Sequence, residues 1–105
     1  MSTALLEELE RWRERIDEID VRLIELLNQR TAVVQEIGRI KEELRMAVYE
    51  PKREDKVFAN VLAHNHGPLP PDAVRRVFER IIDEMRTVQR LKLRENEREQ
   101  EEKSC

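Results

Sequence analysis

The sequence predicts an all-α protein, and three observations lead there. Charged residues make up 41% of the chain, glycines number two and aromatics account for 4%, the balance of long amphipathic helices rather than of sheets. Apolar residues recur at three- and four-residue steps along most of the first 44 positions, the period of a helix face. The remaining apolar segments are separated by proline-containing breaks at 50–51 and 67–72, which divide the chain into three helices. At 105 residues and 12.6 kDa, the chain is a single domain that buries only about two thirds of its unfolded surface unaided. A partner chain would help.

The first helix carries Leu5, Leu9, Trp12, Ile16, Ile19, Leu23, Leu26, Arg30, Val33, Ile37, Ile40 and Leu44 in one heptad-like stripe. Ser2 or Thr3 suits its cap, Glu7, Glu8 and Glu10 suit the positive end of the dipole, and the pattern ends near Leu44. At 1.5 Å per residue it is about 60 Å long. Such a helix cannot fold back on itself, so later helices and another copy must cover its stripe.

Glu50 followed by Pro51 reads as the start of the second helix, because proline at the first helical position loses only an N–H that had no partner. This helix is expected to run to about His64 with Val57, Phe58, Val61 and Leu62 on its apolar face and Gly67 as its stop. The loop GPLPPD, 67–72, follows. The third helix starts near Pro70 or Pro71 and carries Val74, Val77, Phe78, Ile81, Ile82, Met85 and Val88. Beyond about Leu93 the apolar signal is gone. Residues 1–93 therefore form the helical domain, and the charged tail 94–105 is expected to be disordered or frayed, a helical extension being the alternative.

Several function classes fall away. Net charge is −3 with acids and bases interleaved, so no basic stripe tracks a nucleic-acid backbone. The N-terminus lacks a basic start followed by an apolar run, and no stretch approaches the roughly 20 apolar residues of a membrane span, so a cytoplasmic protein without membrane contact is expected. The single cysteine, Cys105, ends the tail and is given no role. No Ser/His/Asp set, glycine-rich phosphate loop or Cys/His cluster is present, and His64 and His66 lie at a helix end. No metal and no cofactor are expected.

Polar residues on the apolar faces carry the functional signal. Arg30 sits in the stripe between Leu26 and Val33, where an unpaired guanidinium would cost several kcal/mol, so an anion should meet it. A second row, Leu6, Arg13, Asp20, Leu27, Val34, Lys41 and Val48, again mixes charges into apolar positions. Arg53 and Glu54 stand three to four residues before Val57 and Phe58, and Gln89 continues the line Phe78, Ile82, Met85. Each has an ordinary reading: a stem laid on apolar surface, a register-fixing pair, a helix-start ion pair or a half-exposed amide. Arg30 and Lys41, 11 residues apart, lie about 16 Å apart along the axis and nearly in line, so both could grip one small molecule. Arg13 is 17 residues from Arg30, about 25 Å, and would have to act from a second subunit. Arginines and a lysine converging in an apolar pocket match a small dianion, with Glu54 as acceptor and Gln89 as neutral donor.

These residues, in order, resemble the all-helical, AroQ-class chorismate mutases. The likeness runs from about Leu5 to Arg90 and rests on RERIDEID at 13–20, LLNQR at 26–30, EIGRIK at 36–41, YEPKRE at 49–54 and Gln89. The resemblance implies an intertwined homodimer of three-helix subunits with shared active sites. It also implies an isomerase of aromatic amino acid biosynthesis that converts chorismate to prephenate by an intramolecular Claisen rearrangement, without cofactor.

By position, the resemblance assigns Arg13 of the partner and Arg30 to the substrate carboxylates, and Lys41 to a carboxylate and the ether oxygen. Gln89 would donate to that oxygen, while Glu54 and the backbone near Glu50 hold the ring hydroxyl. Arg53 would support the site, Asp20 would orient the cations, and Val34, Ile37, Ile82 and Met85 would line or flank the pocket. Met85 departs from the small hydroxyl residue of many relatives. Two alternatives stay open: an isochorismate pyruvate lyase of the same fold, and a non-catalytic or regulatory module docking on another aromatic-pathway enzyme.

Overall fold

The computed structural model describes residues 2–104; Cys105 lies outside them. Three helices follow in order, α1 over Thr3–Glu43, α2 over Pro51–Ala63 and α3 over Pro71–Ser104, with no strand among the described residues. The chain divides into two compact units, Met1–Val33 and Val34–Cys105.

The first unit is the N-terminal stretch of α1. Ser2 caps it: its Oγ accepts from the Leu5 N–H at 3.2 Å, and its carbonyl accepts from Leu5 and Leu6 at 3.1 and 3.3 Å. The first turn holds no acid, so Glu7, Glu8 and Glu10 stand too far along to serve the dipole as expected, since that effect fades within one turn. Glu8 and Glu10 bind side chains instead. Glu10 pairs with Arg13 at 2.6 Å, and Glu8 accepts from the Trp12 indole at 3.5 Å. Leu5, Leu9, Trp12, Ile16, Ile19, Leu23 and Leu26 are each 43–65% exposed, an uncovered apolar row at helical spacing.

The second unit holds the last turns of α1 with α2 and α3. Its core is Val34, Val74, Ile82 and Met85, surrounded by half-buried Val57, Phe58, Val61, Leu62, Phe78, Ile81 and Val88. α2 packs on α3, and the Arg75 guanidinium lies 5.0 Å above the Phe58 ring, a cation–π contact that ties the two helices together.

α2 stops earlier than Gly67. His64 is its C-cap in right-handed geometry, while Gly67 takes a φ of 75° in the following loop. There Asn65 both accepts from the Gly67 N–H at 3.1 Å and donates to the Leu69 carbonyl at 2.9 Å. The glycine thus serves an Asx-type turn, the side chain of Asn65 mimicking backbone.

The tail expected to be disordered is instead helical through Ser104. Arg, Glu, Gln and Lys are strong helix formers even without a core, Lys92 pairs with Glu95 at 3.7 Å, and Asn96 donates to Glu42 of α1 at 3.4 Å. Among the described residues no helix is long and apolar enough to cross a membrane.

Gly38 lies inside α1, where a glycine costs about 1 kcal/mol relative to alanine. A Cβ there would meet Gln89 Cγ at 3.5 Å, an ordinary contact. Gly38→Ala is therefore expected to raise the urea-unfolding free energy by about 0.5–1 kcal/mol; a loss of stability would show that the helix needs the gap.

Candidate active site

The site starts where α1 ends. The Met46 N–H donates to the Lys41 carbonyl at 2.8 Å, the Arg45 N–H donates to the Glu42 carbonyl at 3.1 Å, and Arg45 takes a φ of 57°. This is the Schellman ending, with an arginine where glycine is usual, at a cost of about 1–2 kcal/mol. After this turn Val48 and Glu50 come to Lys41. Its Nζ donates to the Val48 carbonyl at 3.0 Å and pairs with Glu50 Oε1 at 2.7 Å, leaving the lysine side chain 12% exposed.

Glu50 has two duties. Its carbonyl starts α2 by accepting from the Glu54 N–H at 3.0 Å, and Pro51 behind it has no N–H to satisfy. As N-cap its side chain makes no capping bond, because the carboxylate faces Lys41.

One turn later Glu54 and Arg53 part company. Glu54 is turned inward, its side chain 20% exposed, and its Oε2 lies 3.5 Å from Nε of Arg86 on α3. Arg53 is exposed. The sequence placed both on the apolar side, but neighbours on a helix differ by about 100°, and only Glu54 joins Val57 and Phe58.

From α3, Gln89 donates through Nε2 to the Val34 carbonyl at 3.2 Å and lies against Gly38. Met85 and Ile82, one and two turns earlier, are buried. Gln89, Gly38, Val48, Lys92, Leu93 and Asn96 contribute to the wall of a cleft of about 330 Å³. Arg39 also borders it and binds Glu36 at 3.2 Å and Glu43 at 3.1 Å. The hydrogen bond that Arg39 donates to Glu36, then the negative charge of both acids, raises its already high pKa further.

In the first unit, Arg13 is exposed and held by Glu10, Asp20 is exposed, and Arg30 is half-buried. Ile37, expected beside the pocket, is 43% exposed.

The residue that sequence reasoning missed is Arg86, with Tyr49. The Arg86 guanidinium lies 5.2 Å above the Tyr49 ring. Arg86 stands four residues after Ile82, so the test that singled out Arg30, a charge within an apolar face, would have found it.

Known proteins resemble this chain in sequence and in fold. The family model for chorismate mutase type II matches residues 12–90. A bifunctional chorismate mutase/prephenate dehydratase of Neisseria gonorrhoeae is 38% identical over 90 residues, covering 86% of this chain and 24% of that one. The chain thus spans about a quarter of the length of the bifunctional relatives it matches. Among solved structures, chorismate mutase from Thermus thermophilus (form II) superposes with a TM-score of 0.77 at 32% identity, covering 79% of this chain and 94% of that one. Chorismate mutase from Helicobacter pylori in complex with prephenate gives 0.79 at 27% identity, covering 85% and 97%. The family match takes in parts of all three helices together with Lys41, Glu50, Glu54 and Gln89, and the chain belongs to the chorismate mutase type II family.

Proposed function

We propose that this protein is a chorismate mutase, an isomerase that converts chorismate to prephenate at sites shared between two copies of the chain. The observation that carries the reading is Lys41. Its ammonium has three N–H donors, of which Glu50 and the Val48 carbonyl take two, so one remains for a ligand. Gln89 is similar: one amide N–H goes to the Val34 carbonyl and its second can serve an oxygen acceptor.

The rearrangement breaks the ether C–O bond and forms a C–C bond within one molecule, so no nucleophile or proton transfer is required. As the C–O bond stretches, negative charge grows on the ether oxygen. Donors fixed in advance by Glu50, Val48 and Val34 meet that charge without reorganising, and bind the transition state better than the substrate. Arg30 and the partner's Arg13 hold the two carboxylates, Glu54 accepts from the ring hydroxyl, and Arg53 and Glu50 support the pocket rim. Met85 and Ile82 give the apolar wall that selects the compact, reactive conformer.

The uncovered row of the first unit supports the dimer. Burying the remaining half of seven large side chains on each of two copies is worth about 10–20 kcal/mol, against an association cost of about 4–15 kcal/mol. The domain at work is residues 1–93, with 94–104 as an extension of α3 whose Asn96 steadies the end of α1. In the bifunctional relatives a matching segment occurs with a prephenate dehydratase, and an enzyme that consumes prephenate is the natural partner. Product analysis with chorismate and isochorismate separates the mutase from a pyruvate-releasing lyase: prephenate alone is expected.

Lys41→Ala is expected to lower kcat about 10²–10³-fold, the usual loss when one transition-state donor is removed. Arg30→Ala should lower kcat/KM at least about a hundredfold. Chorismate consumption by purified variants measures both, and undiminished turnover in either would defeat the assignment.

The amide of Gln89 donates at every ordinary pH. Wild-type kcat should therefore be level between about pH 5 and 8, whereas Gln89→Glu should be active only as the pH falls toward the carboxyl range near 4.3, where the acid regains its proton. A wild-type collapse above pH 6, or full activity of Gln89→Glu at pH 7, would contradict the role.

A further inference from the structure

We infer that Arg86 is a positioning residue of this pocket: from α3 it fixes the Glu54 carboxylate and the Tyr49–Glu50 segment, and so sets substrate affinity without touching the reacting bonds. The inference rests on the reading of Glu54 as the group that accepts from the substrate hydroxyl.

Arg86 is gripped on three sides. Its Nε faces Glu54 Oε2 at 3.5 Å, with the two side chains 26% and 20% exposed. Asp83, one turn earlier on α3, takes the NH2 end of the guanidinium. The plane lies over Tyr49, the residue immediately before the Glu50 that holds Lys41. One guanidinium therefore reaches both elements that carry Glu54 and Glu50, the first turn of α2 and the segment leading into it.

Its Nε is buried and has no hydrogen-bond partner, although Glu54 Oε2 stands 3.5 Å away. A buried donor left unmade costs about 1–3 kcal/mol, and a small approach of the Glu54 carboxylate recovers it. Among the described residues Arg86 is the ion-pair partner of Glu54, and it engages one oxygen. The other is left for a ligand hydroxyl. A planar fork suits this task and a lysine does not, since lysine offers a point charge with neither stacking nor fixed direction.

The test is steady-state kinetics with chorismate, alongside thermal unfolding, for wild type, Arg86→Met, Arg86→Lys, Glu54→Gln and the Arg86→Met/Glu54→Gln double variant. Arg86→Met is expected to raise KM about tenfold, the value of one charge-assisted hydrogen bond, with kcat within about twofold. Arg86→Lys should recover only part of that rise and decides the question if Arg86→Met fails to fold. In the double variant KM should be no higher than in Glu54→Gln alone, because the two act as one unit. A fall in kcat at unchanged KM, or KM effects that multiply, would overturn the role of Arg86. A Glu54→Gln variant with wild-type KM would overturn the reading of Glu54 and this inference with it, whereas a raised KM in Glu54→Gln with no change in Arg86→Met or Arg86→Lys would sink this inference alone.

Discussion

The contact between Lys41 and Glu50 organises the second unit. A nearly buried ammonium must be paired and hydrogen-bonded or it costs several kcal/mol, and here the Glu50 carboxylate and Val48 carbonyl provide for it. That requirement explains features that look unrelated. The Schellman ending at Arg45 turns the chain at the end of α1. Proline follows Glu50 because the acid's own carbonyl opens α2 while its side chain is engaged elsewhere. A linker with a different length would move the acid away from the base and leave the ammonium without its carboxylate partner.

A reaction confined to one molecule asks unusual things of a protein. With no bond to the enzyme and no proton to move, the chain needs fixed donors, fixed acceptors and an apolar wall, and heavy charge on an otherwise simple helical scaffold is enough to supply them. On the proposed reading, the charges within apolar faces answer that demand. Each such charge tends to be held by a second protein group, Lys41 by Glu50 and Glu54 by Arg86, so that holding a substrate needs little rearrangement.

Much of the architecture was legible in the sequence because helices declare themselves by period. The three segments, the start at Pro51 and the stripe of α1 follow from spacing alone. Misreadings fell where competing local rules decide. Gly67 looked like a helix stop, but Asn65 claims it for a turn. The tail looked too polar to order, yet residues of high helix propensity extend α3 to Ser104. In the site, Lys41, Glu54 and Gln89 stood out as polar residues on apolar rows. Arg53 was grouped with Glu54 although a helix turns adjacent residues apart, and Arg86, four residues after Ile82, met the same test as Arg30 but went unmarked, while its partners, Glu54 and Tyr49, lie more than 30 positions away. Contacts across such separations have no periodic signature.

Two copies must meet for the account to hold, since Arg13 and Arg30 are 17 positions apart on one helix. The most direct measurement mixes Arg13→Ala subunits with Arg30→Ala subunits, equilibrates them by dilution and reconcentration, and follows conversion of chorismate. A shared site leaves each mixed dimer one intact centre and one that lacks both arginines, so random exchange should restore about a quarter of wild-type turnover. Turnover no higher than that of the two parent variants would contradict it.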